Sequence, residues 1–123
     1  MGRLVECSLL ETAIDFSSWT SAQWLADHEE PTRQGSRHRQ NAPYQRMKTK
    51  DGYLMVGAAS EAIWARCADA LGHLEWCEDP RFATNQQRMR NRAALEDVME
   101  AVLATKPTEH WVEVLDEGIL TEK

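Results

Sequence analysis

Cysteine is scarce in this chain: Cys7, Cys67 and Cys77 are an odd set, and no two have Cys-x-x-Cys spacing. That excludes a complete disulfide framework and a cysteine-based zinc cluster, and it reads as reduced thiols in the cytoplasm. Long apolar runs are also missing. Nothing approaches the about 20 residues that a membrane helix needs, and Glu6 and Glu11 interrupt any apolar core of a signal peptide. Among the six glycines there is no Gly-x-Ser-x-Gly elbow, no P-loop and no dinucleotide-binding pattern. No two of His28, His38, His73 and His110 stand at i, i+4 spacing, so no metal ligand is assigned. There are no internal repeats and no low-complexity tract.

Negative charge is absent from one long central segment. Between Glu30 and Asp51 there is no acid, while Arg33, Arg37, Arg39, Arg46, Lys48 and Lys50 all lie there, with His38 among them. The whole chain carries fourteen Lys and Arg against twenty Asp and Glu, a net charge of −6. This balance argues against a general nucleic-acid binder, which is normally basic overall. A basic segment on an acidic body is the expected picture. At 123 residues the chain is one domain or part of one, and its five Trp supply large areas to bury or a sticky surface.

The centre of the sequence reads as a β-hairpin. Tyr44 to Thr49 alternates large apolar with polar residues, Tyr53 to Val56 is a compact apolar run, and Lys50-Asp51-Gly52 lies between them. A glycine there can take positive φ without a Cβ clash. Before the hairpin, Leu10, Ala13, Ile14, Ser17, Ser21, Trp24 and Leu25 form one helical stripe, which predicts a single helix from about Leu9 to His28. Leu4 to Ser8 either begins as a strand or leads to Ser8 as N-cap. Phe16 and Trp19 lie off the stripe, so a second apolar face meets either another chain or the core of this one. Pro31 bars further helix, and Thr32 to Asn41, polar and basic around Gly35, reads as a mobile loop.

After the hairpin, Ser60 caps a helix carrying Ile63, Trp64, Cys67, Ala68 and Leu71, with Gly72 as its stop. A connection through Asp79-Pro80 leads to a helix opened by Thr84 or Asn85, with Leu95, Val98, Met99, Val102 and Leu103 as its core stripe. Lys106-Pro107 breaks it, and a last helix turns Trp111, Val114 and Leu115 inward and ends at Gly118. The predicted class is α+β, mostly α: a long N-terminal helix, one hairpin, then three helices. Residues 1–30 form the helical part, and residues 31–123 a small α+β domain with a basic loop over 32–50.

Most residues that invite chemistry have a plainer role. Asp51 and Asp79 are turn formers, Cys67 falls on an apolar stripe, and Trp64 and Trp111 belong to the core. Arg88, Arg90 and Arg92, near a helix N-terminus, read as surface charge. No catalytic residue is assigned. The basic loop remains as the candidate site: its arginines can clamp a phosphate by bidentate hydrogen bonds, with Tyr44 stacking on a base. The competing reading is a solvated loop that balances an acidic body.

A series of short motifs then points to a family. Ala42-Pro43-Tyr44-Gln45, Thr49-Lys50-Asp51-Gly52-Tyr53-Leu54, Trp64, Leu71-Gly72, Asp79-Pro80-Arg81-Phe82-Ala83-Thr84, Arg88 with Asn91-Arg92, and Trp111 to Gly118-Ile119 come in order. With Val5-Glu6-Cys7-Ser8-Leu9-Leu10-Glu11 upstream, the series resembles family III CoA-transferases over nearly the whole chain. This group includes formyl-CoA transferase, carnitine CoA-transferase and α-methylacyl-CoA racemase. The resemblance implies a linker helix plus the small domain of a protein about three times as long, whose two chains interlock. It implies that the family's acyl-bearing aspartate lies upstream of the Val5 motif and has no counterpart here. Transferase activity is therefore not expected of this chain alone.

The resemblance further implies that the loop from Gly35 through Asn41 closes near an active site, which makes Arg37, His38, Arg39 and Tyr44 candidate CoA-binding residues. Arg39 stands where a proline often follows the histidine, a departure from the family pattern. Binding of a CoA thioester is expected to be weak, with no cofactor held permanently. The expected partners are a second copy met through the N-terminal helix, or a separate chain carrying the large domain. No nucleic acid or membrane is expected.

Overall fold

The computed structural model describes residues 2–120, with side-chain surroundings through residue 116. The chain forms two compact units, Met1–Arg33 and Gln34–Lys123. In the first, the Ser8 hydroxyl accepts a hydrogen bond from the Glu11 amide at 3.3 Å and starts α1 (Leu9–Phe16). The single helix expected from the periodicity is broken at Ser17, and α2 runs over Ser18–Asp27. The Ser17 amide reaches back to the Ala13 and Ile14 carbonyls, and its hydroxyl donates to the Ile14 carbonyl at 2.9 Å. A serine that satisfies the preceding turn in this way competes with continuation of the helix. Helix α2 ends at His28, whose backbone is left-handed (φ 57°), three residues before Pro31. Residues 4–8 form no strand. Neither helix buries a side chain.

The second unit is built on a two-stranded antiparallel hairpin, β1 (Tyr44–Lys48) and β2 (Tyr53–Gly57), with Tyr44 opposite Gly57 and Lys48 opposite Tyr53. The period of two holds: Gln45 and Met47 are buried while Tyr44, Arg46 and Lys48 are exposed. The turn closes through the Thr49 amide donating to the Gly52 carbonyl at 3.0 Å. Gly52 serves here by its size, since its φ is not positive. A Cβ on it would come within 3.1 Å of Thr108 Oγ1.

Ser60 caps α3 (Glu61–Ala70) through the Ile63 amide, and Gly72 stops it with a left-handed φ of 78°. A 3₁₀ turn (Leu74–Cys77) follows. Thr84 caps α4 (Asn85–Arg90). A second expected helix is also divided, because Asn91 interrupts it before α5 (Arg92–Leu103). Asn91 Nδ2 donates to the Arg81 and Gln87 carbonyls, and its backbone (φ −106°, ψ 28°) leaves the helical region. Helix α6 (Thr108–Leu120) closes the unit and runs past Gly118 instead of ending there. Lys106-Pro107 does separate α5 from α6. Residues 121–123 lie outside the described residues.

The class is α+β, mostly helical, as the pattern implied. The core of the second unit joins Met47 and Val56 of the hairpin to Trp64, Cys67 and Phe82, and to Leu95, Met99, Leu103, Trp111 and Leu115. Each such large side chain contributes about 1.5–3 kcal/mol by leaving water. Cys67 is a core residue, its thiol pushed up to about 12 by burial and then by the nearby Cys77. Among the described residues no helix is long and apolar enough to cross a membrane.

Candidate ligand-binding site

Residues 32–43 of the basic loop have no regular secondary structure, yet side chains of α4 and α5 hold the backbone of 38–42. Asn85, the first residue of α4, accepts from the Ala42 amide at 3.0 Å and donates to the Gln40 carbonyl at 2.8 Å. Arg92, the first residue of α5, donates to the carbonyls of His38 (2.7 Å) and Asn41 (3.0 Å). Arg88 donates through Nε to the Ala42 carbonyl at 2.6 Å and through Nη1 to the Phe82 carbonyl at 3.0 Å. On the other side, the His38 amide donates to the Tyr44 carbonyl and the Arg46 amide to Ser36 Oγ. The loop expected to be mobile is therefore a backbone trace fixed at four carbonyls, those of His38, Gln40, Asn41 and Ala42.

This overturns the reading of Arg88 and Arg92 as surface charge. Arg88 is fully buried, its guanidinium 5.0 Å from the Trp64 ring and 2.8 Å from Glu61 Oε2. Burial raises the Glu61 carboxyl, but the hydrogen bonds from Arg88 and the Asn85 amide, with the Arg88 charge, hold it below its ordinary value. Arg92 is half-buried, and desolvation, then the charge of Arg37, lowers its pKa. Arg90 alone of the three is exposed. The loop carbonyls that draw Arg88 and Arg92 inward, those of Ala42, His38 and Asn41, lie 46 to 54 residues earlier in the chain, a distance no local pattern carries.

Of the four candidate binding residues, His38 and Tyr44 come together as stacked rings, their centroids 5.0 Å apart and planes within 2°. Tyr44 is 42% exposed and its ring lies against Gly57, where a Cβ would sit 3.3 Å from it. Arg37 is exposed and paired with Glu96 of α5, so its charge is partly answered. Arg39 is half-buried. The hairpin continues the basic surface: Arg46 lies 4.4 Å over the Tyr53 ring. Among the described residues no cluster of His, Cys, Asp and Glu is arranged to hold a metal ion.

The turn carboxylate has a structural partner. Asp51 accepts from both the amide and the hydroxyl of Thr108 at 2.8 Å, so it caps α6 from a distance. Those bonds, the amide first, hold its carboxyl below the ordinary value. Asp79 is likewise committed, accepting from the Arg81 amide and guanidinium.

The model of CoA-transferase family III matches residues 1–121. Succinyl-CoA:glutarate CoA-transferase of Mus musculus is 32% identical over 111 residues, covering 90% of this chain and 26% of that protein. Acetyl-CoA:oxalate CoA-transferase of Acetobacter aceti is 28% identical over 93% of this chain and 29% of its own length. A CAIB/BAIF family protein from Brucella suis superposes with a TM-score of 0.72 at 29% identity, covering 84% of this chain and 27% of that one. This chain thus spans about a quarter of the length of the relatives it matches. With a match that runs through the helical unit, the hairpin and the arginines that hold the loop, the chain belongs to CoA-transferase family III.

Proposed function

We propose that this region is a small-domain module of a CoA-transferase, which binds CoA or another acidic ligand through the 36–46 segment and carries out no acyl transfer alone. The observation that carries the reading is the fixed loop. Arg37, His38, Arg39 and Tyr44 stand on a backbone held by Asn85, Arg88 and Arg92, so cations and an exposed ring are presented without the entropy of a free loop. Covalent transfer needs an atom to carry the acyl group. Glu96 and Glu61, beside the loop, are engaged by Arg37 and Arg88. On this reading transfer requires the family's large domain, and CoA affinity in its absence is weak.

Titration of the chain with CoA at two salt concentrations tests this. Weak binding that weakens further with salt is expected, and no binding at either concentration rejects the reading. Addition of a chain carrying a family III large domain is expected to produce CoA exchange between two acids, while exchange by the unaided chain contradicts the division of labour.

The helical unit supports a second element, self-association through residues 1–30. Leu9 and Phe16 are each 88% exposed, and Leu10, Trp19 and Leu25 are also open. Apolar area of this kind marks an interaction surface, and a second copy is the occupant we infer. Sedimentation is expected to show a dimer or higher oligomer, and a monomer at high micromolar concentration removes this element.

A further inference from the structure

The loop carries more detail than a set of cations. His38 Nδ1 lies 3.1 Å from the backbone amide of Gln40 and 3.3 Å from Asn41 Nδ2. A backbone amide can only donate, and so can the Asn41 nitrogen as it is assigned. Nδ1 must therefore hold a lone pair, and the proton of the neutral ring sits on Nε2. The ring has little freedom to escape this arrangement. Its face is stacked on Tyr44, its amide donates to the Tyr44 carbonyl at 2.8 Å, and its carbonyl accepts from Arg92 at 2.7 Å.

We propose that His38 is an uncharged hydrogen-bond donor, its Nε2–H directed to a phosphate oxygen of the acidic ligand, and that Gln40, Asn41 and Arg92 are its positioning residues. This rests on the reading of the loop as a ligand site and adds a role and a tautomer to one member of it. A neutral donor suits a place beside Arg37 and Arg92, where another cation would add repulsion. It also separates His38 from the arginines in kind: they attract the ligand by charge at long range, whereas a single N–H selects an oxygen at one position.

The test uses the full chain labelled with ¹⁵N-histidine, at a pH where histidine is neutral, with His38→Ala to assign the ring. The two-bond ¹H–¹⁵N pattern is expected to show the Nε2–H form. CoA is expected to move the Nε2 resonance, whereas succinate, which offers carboxylate but no phosphate, leaves it in place. His38→Ala should weaken CoA binding about tenfold, the loss of one hydrogen bond to a charged group. His38→Gln, which returns an N–H donor near the Nε2 position, should bind within about threefold of the original chain, a rescue that a purely structural role would not give.

An Nδ1–H pattern overturns the inference whatever CoA does. Equal CoA affinity of His38→Ala and the original chain overturns it too, as does movement of Tyr44 signals without His38 Nε2; in both cases the ligand reading stands. Movement with succinate equal to that with CoA overturns the phosphate assignment. If CoA moves no loop resonance at all, the ligand reading fails and takes the donor role with it.

Discussion

Leu10 and Leu95 are the same side chain on helices whose sequences repeat with the same period, yet the first is 70% exposed and the second 1%. Both helices start and stop by local means, with Ser8 opening one and Asn91 preceding the other. What differs is the presence of a facing surface. In residues 34–123 the hairpin, α3 and α6 supply apolar faces that α5 fills, whereas α1 and α2 leave their apolar residues in the open. Helical periodicity therefore reports that a face wants to be covered. It does not say what covers it.

The largest effect is expected at Arg88, in the packed unit. Its removal in Arg88→Ala leaves the Ala42 and Phe82 carbonyls without a donor and Glu61 without its partner. A loss of about 2–6 kcal/mol is expected in denaturant unfolding, about 1–3 kcal/mol for each of the two buried carbonyls left without a donor. By contrast Arg37→Ala, which breaks an exposed pair with Glu96, should cost less than about 1 kcal/mol. Equal effects would mean that the buried guanidinium is not what holds the loop. Next in size, Leu95→Ala should cost about 2–5 kcal/mol by opening a core cavity.

Asp51 gives a smaller effect with a defined sign. Its folded pKa lies below the ordinary 3.8, so its contribution is fully present above that value and is lost as pH falls through the folded one. Unfolding followed on the acid side should show a flatter limb in Asp51→Asn than in the original chain. An unchanged limb would dissociate the carboxylate from the start of α6. The smallest change in stability is expected of Leu10→Ala, within about 0.5 kcal/mol for the unfolding of residues 34–123. The same substitution should weaken self-association in sedimentation. A destabilisation as large as that of Leu95→Ala would erase the contrast between the two units.

Much of the fold was legible because it rests on local rules. The run from Tyr44 to Thr49 marked a strand, Ser60 and Thr84 marked helix starts, and Gly72 marked a stop, while the burial of Gln45 beside Met47 came only with the structure. The breaks at Ser17 and Asn91 escaped notice, since each depends on which carbonyl a short polar side chain reaches. The site was legible in part. An acid-free basic segment and the family motifs drew attention to Arg37, His38, Arg39 and Tyr44, and the stacking of His38 on Tyr44 lay beyond what spacing can express. Asn85, Arg88 and Arg92 were missed as loop-holding residues. A run of arginines looks the same whether solvent or a carbonyl surrounds it.

The hairpin, the helix starts at Ser8, Ser60 and Thr84 and the apolar stripe of α5 follow from the sequence, because side-chain periodicity and capping act over a few residues. The fate of the charged groups was decided only in three dimensions. Whether an arginine is a surface cation or a buried brace, and which nitrogen of a histidine carries its proton, depends on donors and acceptors brought in from distant parts of the chain. Hydrogen bonding at a buried site is a property of the whole packing, and the folded backbone alone sets it.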